Sequence, residues 1–234
     1  MEPYELHGRQ KFPPAWRVVM IFLAVSFWPT GTRAEVLRLP APAVKGAVSV
    51  EEALKSRRTV RRFAQRALDL KQVSQLLWAT DGESEPRGLR TAPSAGATYP
   101  LEIYLVVGER GVRDLAPGVY RYLPQDHGLE LHTKGEARPQ VARASLHQVW
   151  MAEAPVMVVF AAQYRRCTNR YGQRGIMYTH MEVGHAAQNL FLQAEALGLG
   201  AGIVGAFEDR TMSQVLKLPA DHEPLLIMPV GYKY

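Results

Sequence analysis

The sequence predicts one α+β domain that begins at about residue 47. Helical and strand-like segments follow one another in mixed order, no segment repeats, and no low-complexity tract interrupts the 234 residues. An apolar content of 47% and an aromatic content of 9% are typical of a globular chain with a sizeable core. One large domain therefore accounts for most of the chain.

The first 34 residues have the order of a secretory signal peptide. Basic residues precede an apolar run at 18–28, and Ala34 offers a small-residue cleavage site. This run is too short to cross about 30 Å of hydrocarbon as a helix, so a membrane anchor is the weaker interpretation. We expect export, to the periplasm or a membrane, and a linker at 35–48. If the start is mis-assigned, the protein is cytoplasmic.

Two helices open the domain at 49–234. Ser49 and Glu52 have the spacing of a capping box, which predicts a helix that ends in a run of arginines. A second helix is predicted from about Asp69 to Gly82, because leucine and valine recur at helical spacing between them. Polar residues rich in glycine and proline at 81–100 then predict a loop.

Strand patterns fill the middle and the end of the chain. Apolar alternation, a hairpin turn and two apolar runs predict strands at 103–107, 118–123, 129–132, 155–162 and 225–230. The continuous apolar run at 155–162 indicates a strand buried on both faces. Between the last two strands, 178–197 is strongly helical and apolar around nearly the whole cylinder, which predicts burial in a core or at a subunit interface.

Charge and cysteine content exclude several classes of protein. The formal net charge is +6, spread along the chain, which suits a phosphate-bearing ligand better than a nucleic-acid groove. We therefore expect no nucleic-acid partner. Cys167 is the only cysteine, which excludes an internal disulfide and a cysteine-rich metal site.

The arginine run is the first candidate for chemistry. Arg57, Arg58 and Arg61 supply guanidinium forks, which bind phosphate dianions in bidentate fashion, and the Thr59 hydroxyl adds a donor. Taken alone, the run fits a solvated basic helix end that complements the helix dipole better than it fits a phosphate site.

Five segments, in order, resemble the successive signatures of the nitroreductase superfamily. They are ALKSRRTVRRF at 53–63, PSAGATYPLE at 93–102, HQVWMAEAPVMVV at 147–159, RYGQRGIMYTHMEVGHAAQNLFLQAEALGLGAGIVGAF at 170–207 and LLIMPVGY at 225–232. The later segments are similar to the SagB-type dehydrogenase branch, whose members include azoline (thiazole/oxazole) dehydrogenases.

The resemblance implies a nitroreductase-like fold, with a central, mostly antiparallel sheet flanked by helices and a long buried helix at a homodimer interface. It implies an FMN-dependent oxidoreductase that transfers hydride between the flavin and a small organic substrate, with NAD(P)H as a candidate donor. Two alternatives remain open. One is a protein that binds or stores flavin without turnover, and the other is an azoline dehydrogenase that matures a modified peptide.

The resemblance also implies which residues bind the cofactor. The residues implied to bind the phosphate are Arg57, Arg58, Thr59 and Arg61. The loop implied to reach the flavin from the partner subunit consists of Pro93, Ser94, Ala95 and Gly96. The Gln148 amide is implied to bind the pyrimidine edge of the flavin, because an amide can both donate hydrogen bonds to that edge and accept them from it. The backbone over the ring falls to Ile203, Val204 and Gly205.

Arg170 and Tyr171 are the catalytic candidates. They fall where azoline-oxidising relatives carry a Lys-Tyr pair, but arginine stays charged and cannot replace lysine as a proton acceptor. Azoline oxidation is therefore disfavoured. Tyr171 either transfers a proton beside the flavin or only packs.

Two further patterns have structural explanations. The glycines at 198–202 resemble a dinucleotide-binding turn, but they follow a helix, so we expect a helix C-cap. His180 and His185 lie five residues apart on one helix and cannot share a metal, so no metal site is expected. We expect Glu182 and His185 to form a hydrogen-bonded pair instead.

Overall fold

A seven-stranded antiparallel sheet runs through the computed structural model, which describes residues 36–234. The predicted signal peptide or anchor at 1–34 lies outside these residues. The strands are β1 (Val36–Arg38), β2 (Leu101–Val107), β3 (Gly118–Leu123), β4 (Gly128–Lys134), β5 (Val156–Ala162), β6 (Leu199–Ala201) and β7 (Glu223–Tyr232). Their order is β1-β4-β3-β2-β5-β7-β6, and every neighbouring pair is antiparallel.

Six helices flank the sheet. They are α1 (Val50–Ser56), α2 (Leu70–Asp81), α3 (Arg138–Ala144), α4 (Arg165–Tyr171), α5 (Arg174–Ala196) and α6 (Asp209–Leu216). The predicted α+β class and the predicted antiparallel sheet with a long helix are thus confirmed.

The first two helices begin as the sequence predicts. Ser49 and Glu52 form a full capping box, in which the Glu52 backbone N–H donates to Ser49 Oγ over 3.1 Å and the Ser49 N–H donates to Glu52 Oε2 over 2.8 Å. Asp69 caps α2 in the same way, and α2 ends at Gly82. These local signals fix where α1 and α2 lie relative to the arginine run between them.

The sheet separates two apolar layers. Successive side chains of β2 alternate between them: Leu105 packs in the layer that contains α2 and α5, whereas Tyr104 packs in the layer that contains α3 and α6. Every residue of β5 is buried, as its continuous apolar run predicts. β2 and β5 are neighbours at the centre of the sheet.

The segment at 36–48 packs against the domain over part of its length. β1 pairs with β4 at the sheet edge, and the Ser74 hydroxyl of α2 donates to the carbonyl of Pro40 over 2.5 Å. Farther along, Gln75 exchanges two hydrogen bonds with the backbone of Ala43. This segment, predicted as a linker, therefore leads into α1 along a fixed path.

Helix α5 is the longest element, at 23 residues. It begins at Arg174, four residues earlier than the sequence predicts. The preceding helix α4 ends at Tyr171, and the chain turns at Gly172, where φ is +56°, directly into α5. The glycine stretch after α5 is a helix end, with Gly198 at φ +70°, followed by the antiparallel strand β6. This topology is not that of a dinucleotide-binding turn.

Within residues 36–234, no helix combines the length and the apolar character needed to cross a membrane.

Candidate active site

The arginine run forms a cationic surface between α1 and β6, here called the arginine cluster (Arg57, Arg58 and Arg61). An extended backbone carries it past β6, where the Val60 N–H donates to the carbonyl of Ala201 over 2.9 Å. Among residues 36–234, no carboxylate lies within ion-pair distance of any of the three guanidinium groups. Their charge is therefore free to bind an anion.

The three arginines have different surroundings. The Arg57 guanidinium lies over the ring of Phe191 on α5, 5.0 Å from its centroid, and the Arg61 guanidinium lies 5.9 Å from the Trp150 ring. Arg58 instead donates to the carbonyls of Lys55 and Arg57 at the end of α1. The helix-capping role considered for the whole run thus applies to Arg58.

Trp150 joins this cluster to the glycine stretch. An added Cβ at Gly202 would lie 2.7 Å from the Trp150 ring and 2.9 Å from the carbonyl oxygen of Val60. Such distances leave no room for a side chain, so glycine is needed for the two segments to meet. Phe63 also stacks on Trp150, with 6.5 Å between the ring centroids.

Gln148 lies beside the same segment. Its amide nitrogen donates to the carbonyl of Ala206 over 3.3 Å, which leaves the amide oxygen available as an acceptor. Just before it, Leu146 and His147 both have left-handed backbones, with φ of 52° and 59°. Strain of this kind costs about 1–3 kcal/mol per residue and clusters at functional sites.

The predicted ring-contact residues at 203–205 differ in accessibility. Ile203 is 38% exposed, and an added Cβ at Gly205 would contact nothing within 4 Å. Val204 is buried, and its N–H and carbonyl both pair with Ile227. A ligand on this surface can therefore approach Ile203 and Gly205 but finds no free polar group on Val204.

A second group of predicted residues lies on the loop at 93–99, here called the serine loop. Its backbone is held by Ser94, whose Oγ accepts from the Tyr99 N–H over 2.9 Å and whose carbonyl accepts from the Ala97 N–H. Gly96, Ala97 and Tyr99 have positive φ, at 57°, 53° and 44°. Pro93 and Gly96 are exposed, and Ser94 and Ala95 are half-buried.

The two catalytic candidates, Arg170 and Tyr171, belong to α4 and contact the serine loop. The Arg170 guanidinium donates to the carbonyl of Gly96 over 3.0 Å, and the Tyr171 hydroxyl lies where a Cβ of Gly96 would be. Arg170 therefore holds this loop through a hydrogen bond to its backbone. Tyr171 packs edge-on against Tyr178 of α5, with 5.3 Å between ring centroids.

The arginine cluster and the serine loop lie on different faces of α5. Arg57 contacts Phe191, whereas Ser94 lies near Glu182. Nine helical residues separate these two α5 positions, which is about 13 Å along the axis and about half a turn around it. One chain therefore does not bring its two groups of site residues to a single ligand.

Two pockets in the described chain also lie apart from these residues. One, of about 820 Å³, lies between the 40–50 segment, α2 and the second half of α5. The other, of about 690 Å³, lies beside α4 and contains the Tyr164 hydroxyl, 2.6 Å from His180 Nε2. Neither is lined by the predicted cofactor residues.

Comparison with known proteins defines the family. The family model described as "Nitroreductase family" matches residues 54–232. The chain belongs to the nitroreductase family. A relative, the nitroreductase homologue MJ1384 of Methanocaldococcus jannaschii, is 45% identical over 186 residues that cover 80% of this chain and 92% of MJ1384.

Other members relate the chain to a branch and to solved folds. McbC, the microcin B17-processing protein of Escherichia coli, is 25% identical over 158 residues, or 64% of this chain and 57% of McbC, which supports the predicted SagB-type branch. A crystal structure of a nitroreductase homologue from Ralstonia eutropha JMP134 superposes with a TM-score of 0.75 at 30% identity, covering 87% of this chain and 92% of that one.

A more distant member shows the fold alone. The NADPH:FMN oxidoreductase of Vibrio harveyi, solved with NAD+, superposes with a TM-score of 0.57 at 19% identity and covers 79% of this chain and 68% of its own. With these matches, the predicted nitroreductase-like fold is confirmed, and the chain is a nitroreductase-family oxidoreductase.

The expected pair between Glu182 and His185 is wrong. Glu182 is 2% exposed and points into the domain, whereas His185, about 60° away around the helix axis, is exposed. Neither Glu182 oxygen has a hydrogen-bond partner of ordinary geometry within residues 36–234. Residues three positions apart on a helix share a face only approximately, and here one of the two side chains is buried while the other is exposed.

Trp150 and the buried acid Asp81 were not singled out from the sequence. Trp150 had a signal, because it lies two residues after Gln148 in the matched segment. Asp81 had no sequence signal, because it lies in the last turn of α2 and is followed by polar loop residues. In the structure it is buried and bound to Arg90, with 2.5 Å between Oδ2 and Nη1.

Proposed function

We propose that this protein binds FMN and catalyses two-electron transfer between the flavin and a small organic molecule. The observation that carries the proposal is the arginine cluster, whose uncompensated charge lies beside a glycine-lined surface and the free amide oxygen of Gln148. Membership of the nitroreductase family supports it, as does the NADPH:FMN oxidoreductase activity named for a fold neighbour.

The residues fit FMN part by part. A phosphate with about two negative charges would bind Arg57 and Arg61, with the exposed Thr59 hydroxyl as a further donor. Arg58 would contribute charge rather than a fork, because its guanidinium already binds two carbonyls. Gln148 would bind the pyrimidine edge, and Gly205 leaves open space for a flat ring.

Bound FMN would supply the redox chemistry, and the protein would supply orientation and electrostatics. The Gln148 amide has a second N–H besides the one that binds Ala206, and this donor would stabilise negative charge on the reduced ring. Trp150 would keep Arg61 in position through its ring face. A flavin site of this kind accepts donor and acceptor in turn at one exposed ring face.

We propose further that the site is completed in a homodimer. α5 exposes a stripe of Met177, Met181 and Gly184, at helical spacings of four and three. The two methionines are 41% and 46% exposed, which is unusual for neighbouring apolar residues on a long helix. A second copy on this stripe would bring its serine loop to the arginine cluster of the first.

Azoline oxidation is not the function that the site supports. Arg170 holds the Gly96 carbonyl and stays charged at any working pH, so it cannot take the proton that a lysine in this place could take. Two candidate reactions remain. One is the reduction of nitro or quinone compounds with NAD(P)H, and the other is the dehydrogenation of another small molecule. Tyr171 would then be the proton donor or acceptor nearest the loop.

A visible spectrum of the full-length chain with added FMN tests cofactor binding. We expect flavin absorbance that stays with the protein through gel filtration. Arg61→Ala should weaken FMN binding at least about tenfold, since a charge-assisted bond contributes about 1.5–3 kcal/mol. Arg62→Ala is the matched control, because the Arg62 guanidinium lies over Tyr234 instead. Equal binding by wild type and Arg61→Ala would refute the assignment.

Anaerobic reduction separates an enzyme from a storage protein. We expect NADPH or NADH to bleach the flavin absorbance and a quinone or nitro compound to restore it. A holoprotein that no nicotinamide donor bleaches would refute NAD(P)H as the donor. If dithionite-reduced protein also failed to transfer electrons to any acceptor, flavin storage would replace catalysis.

A further inference from the structure

Arg138 lies at the start of α3, and its side chain reaches across to the end of the segment that carries Gln148. Its Nη1 donates to the carbonyl of Ala154 over 2.7 Å, while its Nε and Nη2 donate to the Glu136 carboxylate over 3.0 and 2.6 Å. The Arg138 side chain is 13% exposed. A guanidinium has five N–H groups in a fixed fork, so one side chain can bind the carboxylate and the carbonyl together.

Neighbouring residues fix the position of this guanidinium. The Glu136 carboxylate also accepts from the backbone N–H groups of Arg138 and Glu109, over 2.9 and 2.7 Å. Gly108 leaves the room that the guanidinium needs, because an added Cβ would lie 1.7 Å from its central carbon. The anchored carboxylate and the glycine thus hold the guanidinium where it meets the Ala154 carbonyl.

The contact with Ala154 closes a ring of hydrogen bonds, here called the hydrogen-bond ring (residues 137–154). Backbone N–H to carbonyl bonds of 3.0–3.2 Å link, in order, Ala137, Val141, Ser145, Gln148, Met151 and Ala154. The carbonyl of Ala154 ends this series, and Arg138, the residue after Ala137, binds it through its side chain. Without the guanidinium, the series would stay open at Ala154.

Gln148 lies midway along the hydrogen-bond ring and is half-buried at the surface. Ser145 and Met151, its neighbours in this ring, are fully buried. Among the described residues, the Gln148 amide makes one hydrogen bond, the 3.3 Å bond to Ala206, so its place depends mainly on the backbone that carries it. The left-handed backbone of Leu146 just before it persists only where the surrounding structure fixes it.

We propose that Arg138 is a positioning residue of the flavin site, which closes the hydrogen-bond ring and so holds the Gln148 amide against the pyrimidine edge of FMN. The inference rests on the proposed function, because Gln148 has this role only when FMN is bound. Opening the hydrogen-bond ring displaces the amide from the flavin. Phosphate binding is spared, because the arginine cluster lies outside residues 137–154.

Two variants open the hydrogen-bond ring in different ways. Arg138→Met removes the guanidinium, and Gly108→Ala displaces it while its charge stays. In both we expect the dissociation constant of FMN to rise about threefold to tenfold, the effect of one lost hydrogen bond. The dissociation constant of inorganic phosphate, measured by competition with FMN, should stay that of wild type. Arg61→Ala should instead weaken the binding of phosphate and FMN together.

A thermodynamic cycle with Gln148→Ala shows whether Arg138 acts through this amide. Gln148→Ala should weaken FMN binding about threefold to tenfold, and adding Arg138→Met should weaken it no further. The midpoint potential of the bound flavin should fall in both single variants, because each removes or displaces the donor that stabilises the reduced flavin. Arg121→Met is the matched control, since it breaks an ion pair with Glu102 outside the hydrogen-bond ring and should change neither quantity.

Three results would overturn the role of Arg138 alone. They are FMN binding as in wild type by both ring-opening variants, a loss of phosphate binding equal to the loss of FMN binding, and independent effects of Arg138→Met and Gln148→Ala. Should Arg138→Met fail to fold, Gly108→Ala decides, because the three atoms nearest its Cβ all belong to the movable Arg138 guanidinium. A wild type that binds no FMN refutes the proposed function, and the role of Arg138 with it.

Discussion

Replacing Glu182 with glutamine should stabilise the protein, and more so as the pH rises. Because the folded state raises the pKa of this acid from 4.5 to about 7, it holds a proton that the unfolded chain releases. The stability that Glu182 contributes is therefore complete below pH 4.5 and is lost as the pH rises through about 7. At about 1.4 kcal/mol per pH unit, the loss approaches about 3 kcal/mol.

Urea unfolding of both proteins at several pH values measures this effect. The free energy of unfolding of Glu182→Gln minus that of wild type should increase by about 3 kcal/mol between pH 4.5 and pH 8. Protein and FMN concentrations stay fixed, since ligand binding and association also stabilise the folded state. Glu195→Gln is the matched control on α5, because Glu195 binds Lys233 at 2.7 Å and its loss should not stabilise the fold.

Two results would refute the reasoning. A difference that stays constant with pH would mean that Glu182 titrates alike in the folded and unfolded chains. A difference that falls with pH would mean that Glu182 is ionised and compensated in the folded state, by Arg90 or by another cation.

Three further changes test the site geometry. Gly202→Ala should cost about 1–3 kcal/mol in urea unfolding and weaken FMN binding, because its Cβ would overlap the Trp150 ring. Gly96→Ala, at φ +57°, should cost about 1–2 kcal/mol and slow flavin reduction in stopped-flow assays by displacing the serine loop. Met181→Asp should lower the sedimentation coefficient to that of a monomer and reduce FMN binding, whereas Leu131→Asp, similarly exposed on β4, should change neither.

The sequence predicted the elements whose signals are local. Capping boxes at Ser49 and Asp69 mark two helix starts, and the apolar run of β5 marks a strand buried on both faces. α4 was missed because its buried residues are few, with Cys167 alone inside the domain. A seven-residue helix with three exposed charged or polar positions and one buried position has too weak a periodicity to stand out.

The candidate site was predicted in its residues but not in its geometry. The order of the matched segments identified the arginine run and Gln148, whereas their meeting at Trp150 depends on the pairing of β6 with β7. Arg170 illustrates the limit best. Its residue type excludes a proton acceptor, but only the structure shows that its guanidinium holds the Gly96 carbonyl.

The protonation state of Glu182 could not be predicted from the sequence, because it depends on burial and on charged residues of other elements. On the helix it shares a rough face with His185, and a local pair was the simpler expectation. The packing of α2 against α5 instead places it near Asp81 and Arg90, where burial raises the pKa of Asp81 and of Glu182 to about 7. Periodicity locates a residue on a helix, but its protonation follows from long-range neighbours.

Burial of both faces of α5 in the proposed homodimer would explain why its sequence is apolar or small around nearly the whole cylinder. One face, with Val183 and Leu190, is buried against the sheet and α2, and this packing requires apolar residues within a single chain. The opposite face, with Met177 and Met181, is exposed in a single chain, so nothing within residues 36–234 requires it to be apolar. In the proposed homodimer that face is buried too, and the helix then separates the arginine cluster of one copy from its own serine loop while it brings the partner's loop within reach. A charged residue at Met181 should therefore reduce flavin binding without unfolding the domain, since only the second packing surface is lost.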